Sequence, residues 1–175
     1  MDKQTFWKLI ESARADAEAD EVAPRAAELL AELSEAEITA AQQVLWDLLS
    51  ESYRAPLWAA AYVINGGCSD DGFDYFRGWL LTQGQAAYEA ALADPDSLAA
   101  HPGVREAAEE GLELWDEDAL SIAWTAYESA TGRELPEDSF TISYPPLDPS
   151  WDFDFDDTEE TAARLPRLSA LFDYS

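Results

Sequence analysis

Six polar residues gathered between positions 69 and 77 are the densest set in this chain that could do chemistry: Ser69, Asp70, Asp71, Asp74, Tyr75 and Arg77. On a helix, Asp70 and Asp74 are four apart and share a face, and Asp74 and Arg77 at a spacing of three can form an ion pair. Two carboxylates on one face can hold a divalent cation or act as an acid–base couple, so the six form a candidate ligand-binding set. The plainer reading of the same residues is a capped helix start. Ser69 caps, Asp70 and Asp71 lie in the first turn where the helix dipole favours negative charge, and Asp74–Arg77 is an intrahelical salt bridge on a solvated face. The preceding Gly66-Gly67 could form an anion-binding nest, but two aspartates in the next turn repel a phosphate. The spacing fits neither a P-loop nor a dinucleotide fingerprint. The structural reading is therefore the favoured one.

Nucleophilic and metal chemistry find little support. There is one cysteine, Cys68, and one histidine, His101, which stands in His101-Pro102-Gly103 and reads as a turn. A Ser–His or Cys–His couple would have to use that histidine. Asp70 and Asp71 oppose a Cys68 thiolate, and a zinc site lacks a third nitrogen or sulfur ligand. Asp152-Phe153-Asp154-Phe155-Asp156 invites a calcium loop, but Asp157 stands where an EF-hand needs glycine and Ala163 where it needs glutamate. We expect no catalytic residue, no metal and no cofactor. The same acidic run, with Trp151 as an aromatic anchor and Asp152, Asp154, Asp156 and Asp157 as the charges, is instead the candidate partner-binding strip.

Charge explains that preference. The 175 residues hold 37 Asp and Glu against 10 Lys and Arg, a formal net charge of −27, yet 47% of the chain is hydrophobic and 12% aromatic. A disordered acidic segment lacks such aromatics, so the acid should clothe a real core. That surface repels nucleic acid and anionic lipid and attracts basic proteins. No run of about 18 uncharged apolar residues exists, so no membrane span is expected. The lone cysteine and an opening Met1-Asp2-Lys3-Gln4 that enters an amphipathic pattern directly, with no secretory signal, lead us to expect a cytoplasmic protein.

The elements that must position these groups are helical. Asp2 can cap a helix to about Ala19, with Phe6, Ile10 and Ala13 on one stripe. Pro24 suits the first turn of a second, burying Ala27, Leu30 and Leu33. Ser34 and Glu37 form a capping box ahead of a third helix to about Tyr53. Pro56 starts an apolar fourth helix, broken at Asn65-Gly66-Gly67. The Ser69 helix buries Phe73, Phe76, Trp79 and Leu80 up to Gly84. Gln85 to Ala93 is helical, Asp96 or Ser97 caps a short turn, Val104 to Glu113 is a weaker helix, and Asp116 to Thr131 is a stronger one stopped by Gly132. From Glu134 to Ala163 there are ten acids and no Lys or Arg, and Pro136, Pro145, Pro146 and Pro149 forbid a long helix. Phe140 to Tyr144 and Trp151 to Asp156 alternate with the period of a strand. Asp157 then caps a helix carrying Leu165, Leu168 and Leu171.

The stretch from Gly66 to Leu81, the opening Phe6-Trp7-Lys8-Leu9-Ile10 and the later Ala93-Asp94-Pro95-Asp96-Ser97-Leu98 resemble the bacterial domain-of-unknown-function family 4240, over Met1 to about Gly132. The resemblance implies a mostly helical, cytoplasmic bacterial protein and implies no activity. The expected architecture is mainly α: a compact, orthogonal multi-helix bundle over residues 1–132. An acidic, aromatic-rich and partly extended segment over 133–175 packs back on it and ends in a short helix. The expected function is binding rather than chemistry, with a basic protein as partner and an immunity or inhibitor role as its narrower form. The rival is an enzyme or small-ligand or metal-binding protein with its pocket at Gly66–Arg77.

Overall fold

Asp2 opens the first helix by accepting the Thr5 N–H at 2.8 Å. In the computed structural model, which describes residues 1–173, this helix, α1, runs Lys3–Asp16 and buries Phe6, Trp7, Ile10 and Ala13. It stops three residues before the expected end because Ala17 turns to an extended conformation. A 3-10 turn at Ala19–Glu21 leads into α2, Val22–Ala31, with Pro24 in its first turn. Ala27 and Leu30 are buried as expected, but Leu33 lies past the helix end and is exposed. Both halves of the capping box form: Ser34 Oγ accepts from the Glu37 N–H and the Glu37 carboxylate accepts from the Ser34 N–H. The helix they start, α3, spans Glu35–Glu51 and buries Ile38, Ala41, Leu45, Leu48 and Leu49.

α4, Ala55–Asn65, ends on Gly66 in the left-handed region at φ 65°, a conformation that costs a residue with a Cβ about 1–2 kcal/mol. α5, Asp70–Thr82, is the central element. Every residue from Phe76 to Thr82 is buried, the pattern of a helix covered on all sides. It packs against α1, α3 and α4, against α6 at Gln85–Ala93, and against a 3-10 turn at Asp118–Ser121. A Cβ on Gly78 would collide with the Asp116 backbone carbonyl, so glycine is what admits that approach. α8, Ile122–Thr131, lies against α2 and α3 and is stopped by Gly132.

Several expectations give way to tertiary contacts. His101-Pro102-Gly103 is the opening of a helix, α7 at Pro102–Glu110, rather than a turn: His101 Nδ1 caps it by accepting the Gly103 N–H at 3.1 Å. Asp94, not Asp96 or Ser97, caps the 3-10 turn Pro95–Ala100. Asp96 is buried and acts at a distance, accepting the backbone N–H groups of Arg167 at 3.1 Å and Leu168 at 2.9 Å. Those are first-turn donors of α10, Pro166–Leu171, which a helix leaves without internal partners. α10 follows α9, Thr158–Arg164, capped by Asp157.

No strand forms among the described residues. Phe140–Tyr144 has no regular structure, and Trp151–Asp156 runs from the end of a 3-10 turn at Pro149–Trp151 through a bend to a turn at 155–156, because a strand needs a partner ladder and Pro145, Pro146 and Pro149 remove donors. One side chain stands in for that ladder: Gln43 accepts from Thr141 N–H at 2.8 Å and donates to Thr141 O at 3.1 Å. The segment after Gly132 packs back on the helices. Leu135, Leu165, Leu168 and Phe172 belong to the same apolar core as α1 to α8.

Candidate functional site

The Gly66–Arg77 residues take up their helix as the sequence implied, but point in different directions. Ser69 caps α5, accepting the Gly72 N–H at 3.1 Å. Asp70 and Asp71 are exposed in the first turn. Tyr75 is half-buried and reaches Glu117 at 3.4 Å. Asp74 and Arg77 pair, yet not on a solvated face: Arg77 is 0% exposed, the largest fully buried side chain among the described residues. Its Nε donates to Phe73 O at 3.2 Å, and its two terminal nitrogens donate to Leu49 O and to Asp74. The guanidinium lies 4.6 Å from the ring centre of Phe73, 5.3 Å from Tyr53 and 5.5 Å from Tyr144. A guanidinium is more weakly hydrated than an ammonium and stacks on aromatic faces, which suits it to such a cage.

Burial sets the acidities around that cage. The Asp74 carboxyl is pushed up by desolvation, which the neighbouring Arg77 and the Tyr144 hydroxyl only partly offset. Tyr144 is likewise raised by burial. The Cys68 thiol is pushed up to about 12, chiefly by desolvation, so it is a thiol at neutral pH and a poor nucleophile. His101 is lowered by burial, with Arg14 adding to the effect. Its Nδ1 is already engaged as a helix cap and its ring stands edge-on to Trp79. Nothing links the thiol to the imidazole. Among the described residues no group of three or more His, Cys, Asp or Glu is placed to hold a metal ion. Arg77 thus ties α3, α5 and the tail's Tyr144 together from inside.

The acidic strip alternates although it is no strand. Trp151, Phe153 and Phe155 are half-buried, while Asp152, Asp154, Asp156 and Asp157 are exposed. The rings run in a line: Trp151 to Phe153 at 6.0 Å, Phe153 to Phe155 at 5.3 Å, Phe155 to Tyr62 on α4 at 5.7 Å. Arg164 covers Trp151 and Phe153 at 4.8 and 4.9 Å, and Tyr62 donates to Asp156 at 2.7 Å. Trp151 is thereby a foot of the strip on the body. A groove of about 820 Å³ opens where this strip meets α9 and α10, lined by Tyr62, Val63, Phe155, Asp156, Pro166 and Phe172 among others. Of the Gly66–Arg77 set and its preceding glycines it takes only Gly66.

The family model described as a protein of unknown function (DUF4240) matches residues 1–129. The chain belongs to this family. The DUF4240 match covers α1 to α7 and most of α8, includes the Arg77 cage on α5, and ends before the acidic strip. No curated protein and no solved structure matches the chain.

Two features escape the sequence reading. Asn65, taken there as a helix breaker, clamps the loop after α7: it accepts from Leu114 N–H at 2.8 Å and donates to Leu114 O at 3.1 Å. Trp115, next to that clamp, is 58% exposed. The visible signal is a tryptophan set among acids in a linker beyond Gly111, where a core residue would be out of place.

Proposed function

We propose that the protein is a binding module for the basic surface of another protein, engaged through the acidic strip from Asp148 to Glu160. The observation that carries this reading is the orientation of the strip: Trp151, Phe153 and Phe155 are half-buried, while Asp148, Asp152, Asp154, Asp156, Asp157 and Glu159 are exposed. Lys3, Arg14, Arg25, Arg77, Arg133, Arg164 and Arg167 are in ion pairs within the chain, and with all 10 Lys and Arg counted the net charge is still −27. Such a field raises encounter rates with cationic partners and suppresses acidic ones. It also repels nucleic acid. An immunity or inhibitor protein acting on a cationic toxin or nuclease in the bacterial cytoplasm is the narrower form of the reading.

The test is affinity capture from bacterial lysate at low and at high salt, with Asp152→Asn/Asp154→Asn/Glu159→Gln as comparison. A basic protein retained at low salt, weakened by salt and by the triple substitution, supports the reading. Recovery of no protein in either buffer sinks it. The second reading, a small-ligand protein, draws on the groove beside Asp156 rather than on Gly66–Arg77. A metabolite that raises the melting temperature, and loses that effect in Tyr62→Ala, would favour it.

A further inference from the structure

The loop between α7 and the 3-10 turn at Asp118–Ser121 carries the most exposed large apolar side chain given by the fold, Trp115 at 58%, with Leu112 at 48% beside it in sequence. Both sit on a hydrogen-bonded stretch of main chain: the Leu112 N–H donates to Ala107 O at 3.0 Å. The Asn65 side chain holds Leu114 in both directions. The Asp116 N–H donates to Tyr75 O at 3.0 Å, and the Asp116 carboxylate caps the next turn by accepting the Ala119 N–H at 3.0 Å. Gly78 lets the Asp116 carbonyl close onto α5. Leu114 packs on the core while Trp115 does not. A clamp on each side of Trp115 pins its main chain, and its side chain is exposed there.

We propose that Trp115 and Leu112 form a rigid anchor that enters an apolar pocket rimmed by Lys or Arg on a partner protein. The surroundings decide the partner's chemistry. Glu110, Glu113, Glu117 and Asp118 are exposed around the two apolar side chains, so a pocket with an acidic or neutral rim would be repelled or gain nothing. A second copy of the chain, with the same −27, is opposed for the same reason. An exposed indole on a pinned main chain has only two side-chain torsions to fix on binding, gains large apolar contact, and offers its face to a rim cation. Tryptophan at the centre of a desolvated patch with a polar rim is the usual composition of a binding hot spot. The inference rests on the basic-partner reading above and deepens it. The acidic strip supplies the encounter and the Trp115 loop supplies the hold, on the part of the chain that the family match covers.

The experiment places the photo-crosslinking residue p-benzoylphenylalanine at position 115, and in a control at exposed position 130, in the full chain expressed in its source cells. Adducts are identified by mass, and the crosslinked protein is then purified and titrated against the parent chain, Trp115→Ala, Leu112→Ala and Asp152→Asn/Asp154→Asn. Melting temperatures of the variants should match the parent, because both side chains stand in solvent. The expected result is a position-115 adduct with one basic protein. Its affinity should fall roughly tenfold or more in Trp115→Ala, through faster dissociation, and less in Leu112→Ala. The strip variant should mainly slow association. A basic partner that binds Trp115→Ala as tightly as the parent overturns the anchor and leaves the basic-partner reading standing. An adduct with an acidic protein or with a second copy overturns both. No adduct above the position-130 control overturns the anchor.

Discussion

Two acidic segments leave the helical body and each is held by one amide side chain, yet they are anchored to different depths. Asn65 grips Leu114 in the 111–117 loop and Gln43 grips Thr141 in the tail, both as donor and acceptor at once. In each case the amide does for an extended chain what a neighbouring strand would do. The loop adds buried contacts: Gly78 against the Asp116 carbonyl, Tyr75 O to the Asp116 N–H, and Leu114 on the core. Around the tail clamp, residues 141–150 are all exposed, and the attachments that follow are the Tyr144 ring against Tyr53 at 4.5 Å and Arg77, then the row of rings that Arg164 covers. An amide clamp therefore fixes local direction in both segments. Backing from the core is what separates a loop able to present a side chain rigidly from a strap held at intervals.

The largest effect should come from the group that joins the tail to the helical body. Arg77→Ala removes a buried guanidinium, takes one donor each from Asp74, Leu49 O and Phe73 O, and takes away the cation beneath Tyr144. Breaking a buried pair at one end typically costs about 3–5 kcal/mol, so the urea midpoint should drop steeply. An unchanged midpoint would mean that the cage bears no load. Gly78→Ala comes next. Its Cβ meets backbone, which cannot rotate away, and overpacking of this kind costs about 1–3 kcal/mol. Hydrogen exchange should rise in the 111–117 loop while the tail is unaffected.

The two clamps themselves give the direct comparison. Asn65→Ala leaves the Leu114 N–H and carbonyl half-buried without partners and should cost about 1–3 kcal/mol. Gln43→Ala frees the backbone of an exposed residue that water can serve, and should cost less, about 0.5–1.5 kcal/mol. Equal losses in denaturant melts would erase the distinction between core-backed loop and strap.

Local chemistry made much of this legible. The Ser34 capping box, the Ser69 and Asp157 caps, the Gly66 and Gly132 stops and the apolar stripes of α1, α3 and α5 depend on residues within about four positions of one another, the range over which helical periodicity speaks. The missed features join distant residues. Asp96 serves α10 from 71 and 72 positions away, Asn65 reaches 49 and Gln43 98. No pattern of neighbours announces such partners. Arg77 was misplaced for a related reason. A charge is expected on a surface, and Asp74, the Leu49 and Phe73 carbonyls and the rings of Phe73, Tyr53 and Tyr144 together make an interior position tolerable. Within the candidate interface, the alternation of rings and acids from Trp151 to Asp157 was readable, whereas the exposure of Trp115 depends on how its loop is pinned.

The smallest effect is also the one that separates the segments by sign. Asp116 in the loop has its carboxyl raised, first by burial, against the hydrogen bond from Ala119. The native state therefore holds that proton more tightly than the unfolded chain. Its ionisation costs stability as pH rises through the window between the ordinary aspartate range and the raised native value. Asp148 in the tail is lowered, first by the Ser150 backbone hydrogen bond. Its contribution is present above the ordinary aspartate range and is lost as pH falls toward the lowered native value. Asparagine keeps a carbonyl for the Ala119 or Ser150 N–H in either place but does not titrate. Referenced to the parent chain, Asp116→Asn should therefore gain stability as pH climbs from acid toward neutral, and Asp148→Asn should lose it. Melts of the three proteins across that range read the two slopes, and slopes of one sign would show that the loop carboxylate is as well solvated as the strap's.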